Sequence, residues 1–249
     1  MKTRGIAPAV SICVVVIALS LSAFQTASSQ RKTNVSDLPV SEPERDLLNE
    51  INQCRAHPQL YASYLEKLKP LFNGKDYTAV GQAGITTQEG WSAVEEAIKS
   101  LRITRPIAAL SPSHGLYLAA LAHVKDQSSN GATGHRGTDN AFIEQRVKPF
   151  GVWDGAIGEN LTYGTDSARA RVLTWLIDDG FASRGHRRRL LSGDYKVAGI
   201  SCGLHPEYGA MCVLTLAGSF IETQNASGAA ASTKSTSQTK PMSTKSRKM

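Results

Sequence analysis

Three observations predict an α+β fold. Helical apolar spacing fills the first half of the chain, two partly β-branched runs joined by a turn lie near its end, and no strand–helix–strand alternation of the kind that builds a parallel sheet occurs. Ser41-Glu42-Pro43-Glu44 has the form of a capping box with an early proline, and Leu47, Leu48, Ile51 and Cys54 follow at helical spacing. His57-Pro58 interrupts that helix, because a residue before proline avoids the α region. Leu60, Tyr61, Tyr64, Leu65 and Leu68 predict a second helix, and residues 73–86 a loop. Thr86 with Glu89 suggests a further capping box before the stripe Trp91, Val94, Ile98 and Leu101. Ser111-Pro112 is expected to start the helix that carries Leu116, Ala119, Ala120, His123, Val124 and Gln127. A loop from Gly131 to Gly137 delivers His135, and Asn140 to Val147 reads as a short helix. Asp166 or Ser167 caps a helix holding Val172, Trp175 and Leu176, with Gly180 at its end. Tyr195–Cys202 and Ala210–Phe220 form the hairpin, and Ile157–Tyr163 is a third strand or the extended entry to one.

The two ends of the chain differ from the middle. Residues 1–29 read as a signal peptide: Lys2 and Arg4 precede the apolar run Ile12–Leu21, and small residues follow at Ala23 and at Ala27-Ser28-Ser29. Residues 30–40 form a linker, 41–221 one domain, and 222–249 a Ser/Thr/Lys tail without apolar period, expected to be disordered. The formal charge of +7 sits mostly at these ends: Lys2 and Arg4 in the leader, five basic residues less Glu222 in the tail, and only +1 on residues 31–221. A nearly neutral fold removes the electrostatic footprint of a nucleic-acid partner. The basic tail is left as a solvated segment or a contact for an anionic cell-surface polymer. In an exported protein the flanks of the hairpin favour a Cys202–Cys212 bridge over two buried thiols, with Cys54 a lone core thiol. Asn34, Asn160 and Asn225 begin glycosylation triplets.

Polar chemistry concentrates between residues 135 and 186. His135 lies between glycines in Gly134-His135-Arg136-Gly137, Glu159 among apolar neighbours in Gly158-Glu159-Asn160-Leu161, and His186 in Gly185-His186-Arg187. A carboxylate as enclosed as Glu159 needs a partner, whether histidine or arginine. Asp178 and Asp179 stand at a helix C-terminus, against the macrodipole. The run Arg187-Arg188-Arg189 is either a wet face pinning backbone and acids or an anion site. His123 reads as a core or rim residue, and His57, His114 and His205 carry no assignment. No HExxH, GxSxG or glycine-rich phosphate loop is present.

Read in order, these segments resemble the CAP superfamily of cysteine-rich secretory, antigen 5 and pathogenesis-related proteins, also called SCP-like extracellular domains. The resemblance is carried by Gly134-His135-Arg136-Gly137-Thr138-Asp139, Gly158-Glu159-Asn160-Leu161, Trp175 with an acid three residues on, Gly185-His186-Arg187 and Val197-Ala198-Gly199-Ile200. It covers about residues 44–220 and is nearest to the microbial branch. It implies an α-β-α sandwich with a small antiparallel sheet between helical layers, and a cleft holding two histidines and two acids. Carried over, the histidines are His135 and His186 and the first acid is Glu159. The second acid, usually a glutamate, falls on Asp178, with Asp179 as its substitute. The aromatic usual after the second histidine is replaced by Arg187.

Two neutral imidazoles oriented by carboxylates suit Zn²⁺, or else Mg²⁺ or Ca²⁺, as a cation not required for folding, with affinity falling below about pH 6.5. The resemblance implies a secreted monomer, extracellular or periplasmic, that binds rather than catalyses and takes a lipid, sterol or other extracellular ligand. The alternative is a hydrolase of peptides or glycans, with Glu159 as general base and His135 or His186 positioning water or a metal.

Overall fold

The computed structural model describes residues 40–79 and 84–223. The signal peptide, all of the linker but Val40, and the tail beyond Thr223 lie outside these residues.

Helix α1 (Glu42–Ala56) opens as its capping pattern requires, the Ser41 amide donating to Glu44 at 2.6 Å. The same glutamate accepts from the Cys202 amide at 2.9 Å, which ties the helix start to the sheet. Pro58 begins α2 (Pro58–Glu66), which buries Tyr61, Ala62 and Leu65. The expected loop 73–86 contains a small antiparallel sheet of β1 (Phe72–Asn73), β2 (Asp76–Tyr77) and β3 (Ile85–Thr86), in the order β1-β2-β3. Helix α3 (Trp91–Ile103) starts after Gly90 rather than at a Thr86 box. Glu89 cannot serve as a cap because Arg184 takes its carboxylate, while the Thr87 hydroxyl accepts from the Gly90 amide.

Ser111 and Pro112 form β4 (Ser111–Pro112) instead of a helix start, and the true cap is Ser113, whose hydroxyl accepts from Leu116. Helix α4 (His114–Asn130) ends at Gly131 with φ 72°. The short α5 (Ile143–Val147) is followed by β5 (Gly151–Tyr163), which begins six residues before the strand predicted, with a bulge between Asp154 and Ile157. Ser167 caps α6 (Ala168–Ile177), which stops at Asp178 in the left-handed region and not at Gly180. The sequence reading gave no element to α7 (Gly185–Leu190). The hairpin is β6 (Val197–His205) and β7 (Gly209–Glu222), so Glu222, assigned to the tail, completes a strand and accepts from Ser113 and Gly115.

The main sheet runs β4-β6-β7-β5, antiparallel except for the β4–β6 pair. Side chains alternate between its faces. Ala198, Ile200, Cys212, Leu214 and Leu216 pack with the helical layer of α1, α2, α3, α6 and α7. Val213, Met211 and Ala217 meet the layer of α4 and α5 through Leu116, Ala119, Ala120, Val124, Ile143 and Val147. The molecule is thus the α-β-α sandwich.

Helix α4 crosses β6 at backbone contact over Gly199. A Cβ there would lie 2.0 Å from the Tyr117 nitrogen and 2.1 Å from the Leu116 carbonyl carbon, so only glycine fits. On the same strand Cys202 faces Cys212 directly, Cα to Cα 4.1 Å, and the two are joined as a disulfide; Cys54 is a buried free thiol.

Gly199→Ala is expected to destabilise the protein by about 3 kcal/mol or more, since backbone cannot yield as a side chain does; a urea midpoint indistinguishable from the parent's would contradict this contact. Replacing Cys202 and Cys212 together by alanine should cost about 2–3 kcal/mol for so short a closed loop, read from the same unfolding curves.

Candidate functional site

β5 is an edge strand of the sheet, and both layers of the sandwich contribute side chains beside it. Glu159 pairs with Thr215 and faces α4 and α5, whereas Asn160 pairs with Leu214 and faces α6 and α7. His135 reaches Glu159 from the first side, Nδ1 to Oε1 2.9 Å. His186 reaches Asp178 on the second, Nδ1 to Oδ1 2.6 Å. The rings then stand 6.3 Å apart, centroid to centroid, inclined by 27°. All four predicted side chains therefore converge, and Asp178 rather than Asp179 meets the second ring. Asp179 instead accepts from the amides of Gln88 and Glu89.

Each half has its own scaffold. The His135 loop hangs on the Gly134 peptide: its amide donates to the Tyr163 hydroxyl at 2.8 Å, and its carbonyl accepts from Gln127 at 2.6 Å and from His123 at 2.9 Å. Arg146, at the end of α5, donates to the His135 and Ala141 carbonyls, each at 2.9 Å, and to Glu159 Oε2 at 2.5 Å. In the other half, Trp175 of α6 donates to the Leu161 carbonyl of β5 at 2.7 Å, which sets where the acid three residues later emerges. Asp178 sits at φ 56°, a conformation aspartate tolerates better than most residues, and also accepts from the His186 amide at 2.8 Å. Arg184 bonds Glu89, Glu96 and the Asp178 carbonyl, clamping this turn to α3. Asn160 donates to the His186 carbonyl at 3.1 Å and is fully buried, so its glycosylation triplet is structural.

The acids are enclosed, the His135 ring is open and the His186 ring is partly so. Side-chain exposure is 2% for Glu159 and 0% for Asp178, against 42% for His135 and 16% for His186. Burial pushes the Glu159 carboxyl up, but its hydrogen bond to His135 and the Arg146 charge outweigh burial and leave it lowered. Asp178 is likewise raised by burial and lowered overall by His186 and the amides of residues 187 and 186. With Nδ1 of each ring on a carboxylate, Nε2 is the atom left for a ligand, the tautomer that a metal-binding histidine adopts. Among the described residues no group of three or more His, Cys, Asp or Glu is arranged to hold a metal. The two free ring nitrogens are the donors in view, the carboxylates being engaged already; a zinc-like ion completed by water or an external ligand takes nitrogen donors, whereas Mg²⁺ and Ca²⁺ take oxygen. Glu159 has both oxygens engaged and is held ionised, which leaves it a poor general base.

The sequence reading did not find Arg146, Gln127, Tyr163 or Arg184, whose roles come from partners distant in sequence. His123 lies in the core as expected, and His205 bonds the Ala132 carbonyl at 3.1 Å.

Because Glu159 and Arg146 are both buried, Glu159→Gln should cost about 3 kcal/mol or more by stranding the guanidinium, and adding Arg146→Met should recover part of that loss in denaturant unfolding. Depressed carboxylates contribute stability above their unfolded pKa, near 4, and lose it as pH falls through the folded value. The parent should therefore lose stability below about pH 4 more steeply than the double variant.

Residues 95–216 match the family model described as the cysteine-rich secretory protein family, CAP. No curated protein matches the chain by sequence. Two solved structures resemble it: an outer surface protein of Borrelia burgdorferi, at 18% identity over 51% of this chain and 87% of that one, with a TM-score of 0.37; and an extracellular protein containing an SCP domain from Bacillus anthracis str. Ames, at 19% identity over 61% of this chain and 43% of that one, with a TM-score of 0.37. The matched segment runs from within α3 into β7 and holds His135, Glu159, Asp178 and His186, and this domain belongs to the cysteine-rich secretory protein (CAP) family.

Proposed function

We propose that the protein is an extracellular binding module whose paired histidines capture a zinc-like cation together with an external ligand. One observation carries this reading: two imidazoles, each held through Nδ1 by a buried carboxylate, stand 6.3 Å apart with Nε2 free. Such carboxylate–histidine pairs orient a ring for a metal and raise its donor strength. Two protein ligands leave coordination positions open, so the cation would bind more weakly than a closed structural zinc and would be completed by the ligand's own donors. Export is supported by the leader-like residues 1–29 and by the match to the cysteine-rich secretory protein family. A lipid or sterol ligand, suggested by the family resemblance, has no specific contact behind it in this site. Nor has hydrolysis, for the base assigned to it is the carboxylate locked between His135 and Arg146.

Calorimetric titration with zinc at pH 7.5 is expected to show one site that His135→Ala and His186→Ala each weaken at least tenfold. Asp178→Asn should weaken it by about 10–100-fold, the usual effect of removing a histidine's carboxylate partner. Equal zinc affinity in the parent and both histidine variants would refute the reading.

A further inference from the structure

Of the run Arg187-Arg188-Arg189, Arg187 bonds Glu96 and Arg188 is exposed. Arg189 is half-buried, yet no described residue bonds its guanidinium. Every other enclosed arginine has partners: Arg55, Arg146, Arg171, Arg184 and Arg187 all donate to carboxylates or carbonyls. None of its nitrogens is sealed from solvent as Arg146 Nε, Arg171 Nη1 and Arg187 Nη1 are, so its donors stand open to an acceptor from outside the chain.

The place it occupies is specific. A Cβ on Gly158 would lie 3.0 Å from Arg189 Cδ, 3.2 Å from its Nε and 2.7 Å from the Tyr195 hydroxyl. A Cβ on Gly185 would lie 3.3 Å from Arg189 Nη1 and 3.6 Å from the Ser183 hydroxyl. Neither glycine has a positive φ, so their backbone geometry suits any residue and the missing side chains leave room instead. Gly158 precedes Glu159 and Gly185 precedes His186, so Arg189 lies against the backbone that carries one acid and one histidine of the site. The Tyr195 hydroxyl reaches its nearest acceptor, the Ile157 carbonyl, only at 3.5 Å. One guanidinium and two hydroxyls are the polar side-chain groups nearest these two glycines. Arginine's planar fork matches carboxylate and phosphate oxygens.

We infer that Arg189, with the Tyr195 and Ser183 hydroxyls, forms an anion subsite that receives a carboxylate or phosphate group of the ligand. For its role in ligand capture this rests on the reading of the histidine pair, but the subsite itself binds anions without metal. The test uses the intact chain, labelled with nitrogen-15 and free of zinc, titrated separately with inorganic phosphate and with acetate. The Arg189 Nε–Hε resonance should shift saturably, at a midpoint at least about fivefold below those of the exposed Arg105 and Arg188. Tyr195→Phe and Gly158→Ala should each raise that midpoint at least about threefold, the second by displacing Arg189 and Tyr195. A lower midpoint with phosphate assigns a phosphate-bearing ligand, and one with acetate a carboxylate. A response at Arg189 no different from that at Arg105 and Arg188, or one untouched by both variants, overturns the subsite. Since zinc is left out, failure of the cation reading and failure of this one are separate results.

Discussion

The buried carboxylate of Glu159 is the constraint around which the site is arranged. Placed on an edge strand with almost no contact with water, it needs donors on both oxygens, and it has them: His135 on one and Arg146 on the other. Arg146 in turn binds the carbonyls of His135 and Ala141, so a single charge pair joins strand, helix and loop. The ring orientation of His135 follows from this arrangement. Its exposure to solvent is compatible with a defined pose only because the atoms behind it are enclosed.

The second half solves the same problem by other means. Among the described residues no guanidinium touches the carboxylate of Asp178; backbone amides of the following short helix and the His186 ring do. Adjacent residues on β5 serve opposite halves because strand side chains alternate. Glu159 faces one helical layer, while Asn160 turns to the other and holds the His186 carbonyl. An edge strand is the one part of a sandwich where groups from both layers can approach each other without a sheet between them.

Much of this was legible in the chain. Helical spacing placed α1, α2 and the body of α3 and α4, since those segments bury one stripe and nothing competes with that pattern. The failures are where tertiary partners override local chemistry. Glu89 looks like a capping residue but is taken by Arg184, and Ser111-Pro112 looks like a helix start but pairs with β6. The small sheet at residues 72–86 rests on two-residue strands too short to show alternation. In the site, the family resemblance named both histidines and Glu159 from motif order, and Asp178 from its spacing to Trp175. It could not name Arg146 or Tyr163, because a lone arginine or tyrosine carries no spacing signal.

The side chain of Arg55 gathers the carbonyls of Ala108, Leu190, Ser192 and Tyr195, all between 2.8 and 3.1 Å away. It belongs to the first described helix, yet three of its four acceptors lie at the end of α7 or just past it, on the stretch leading from His186 to the central hairpin. The polypeptide must therefore bring back α1 to complete the backbone of a segment made some 135 residues later. The family match begins at residue 95, but the folding unit does not: a chain cut there would lose the guanidinium that knots those loops together, along with the helical cover over Trp175 and Leu190.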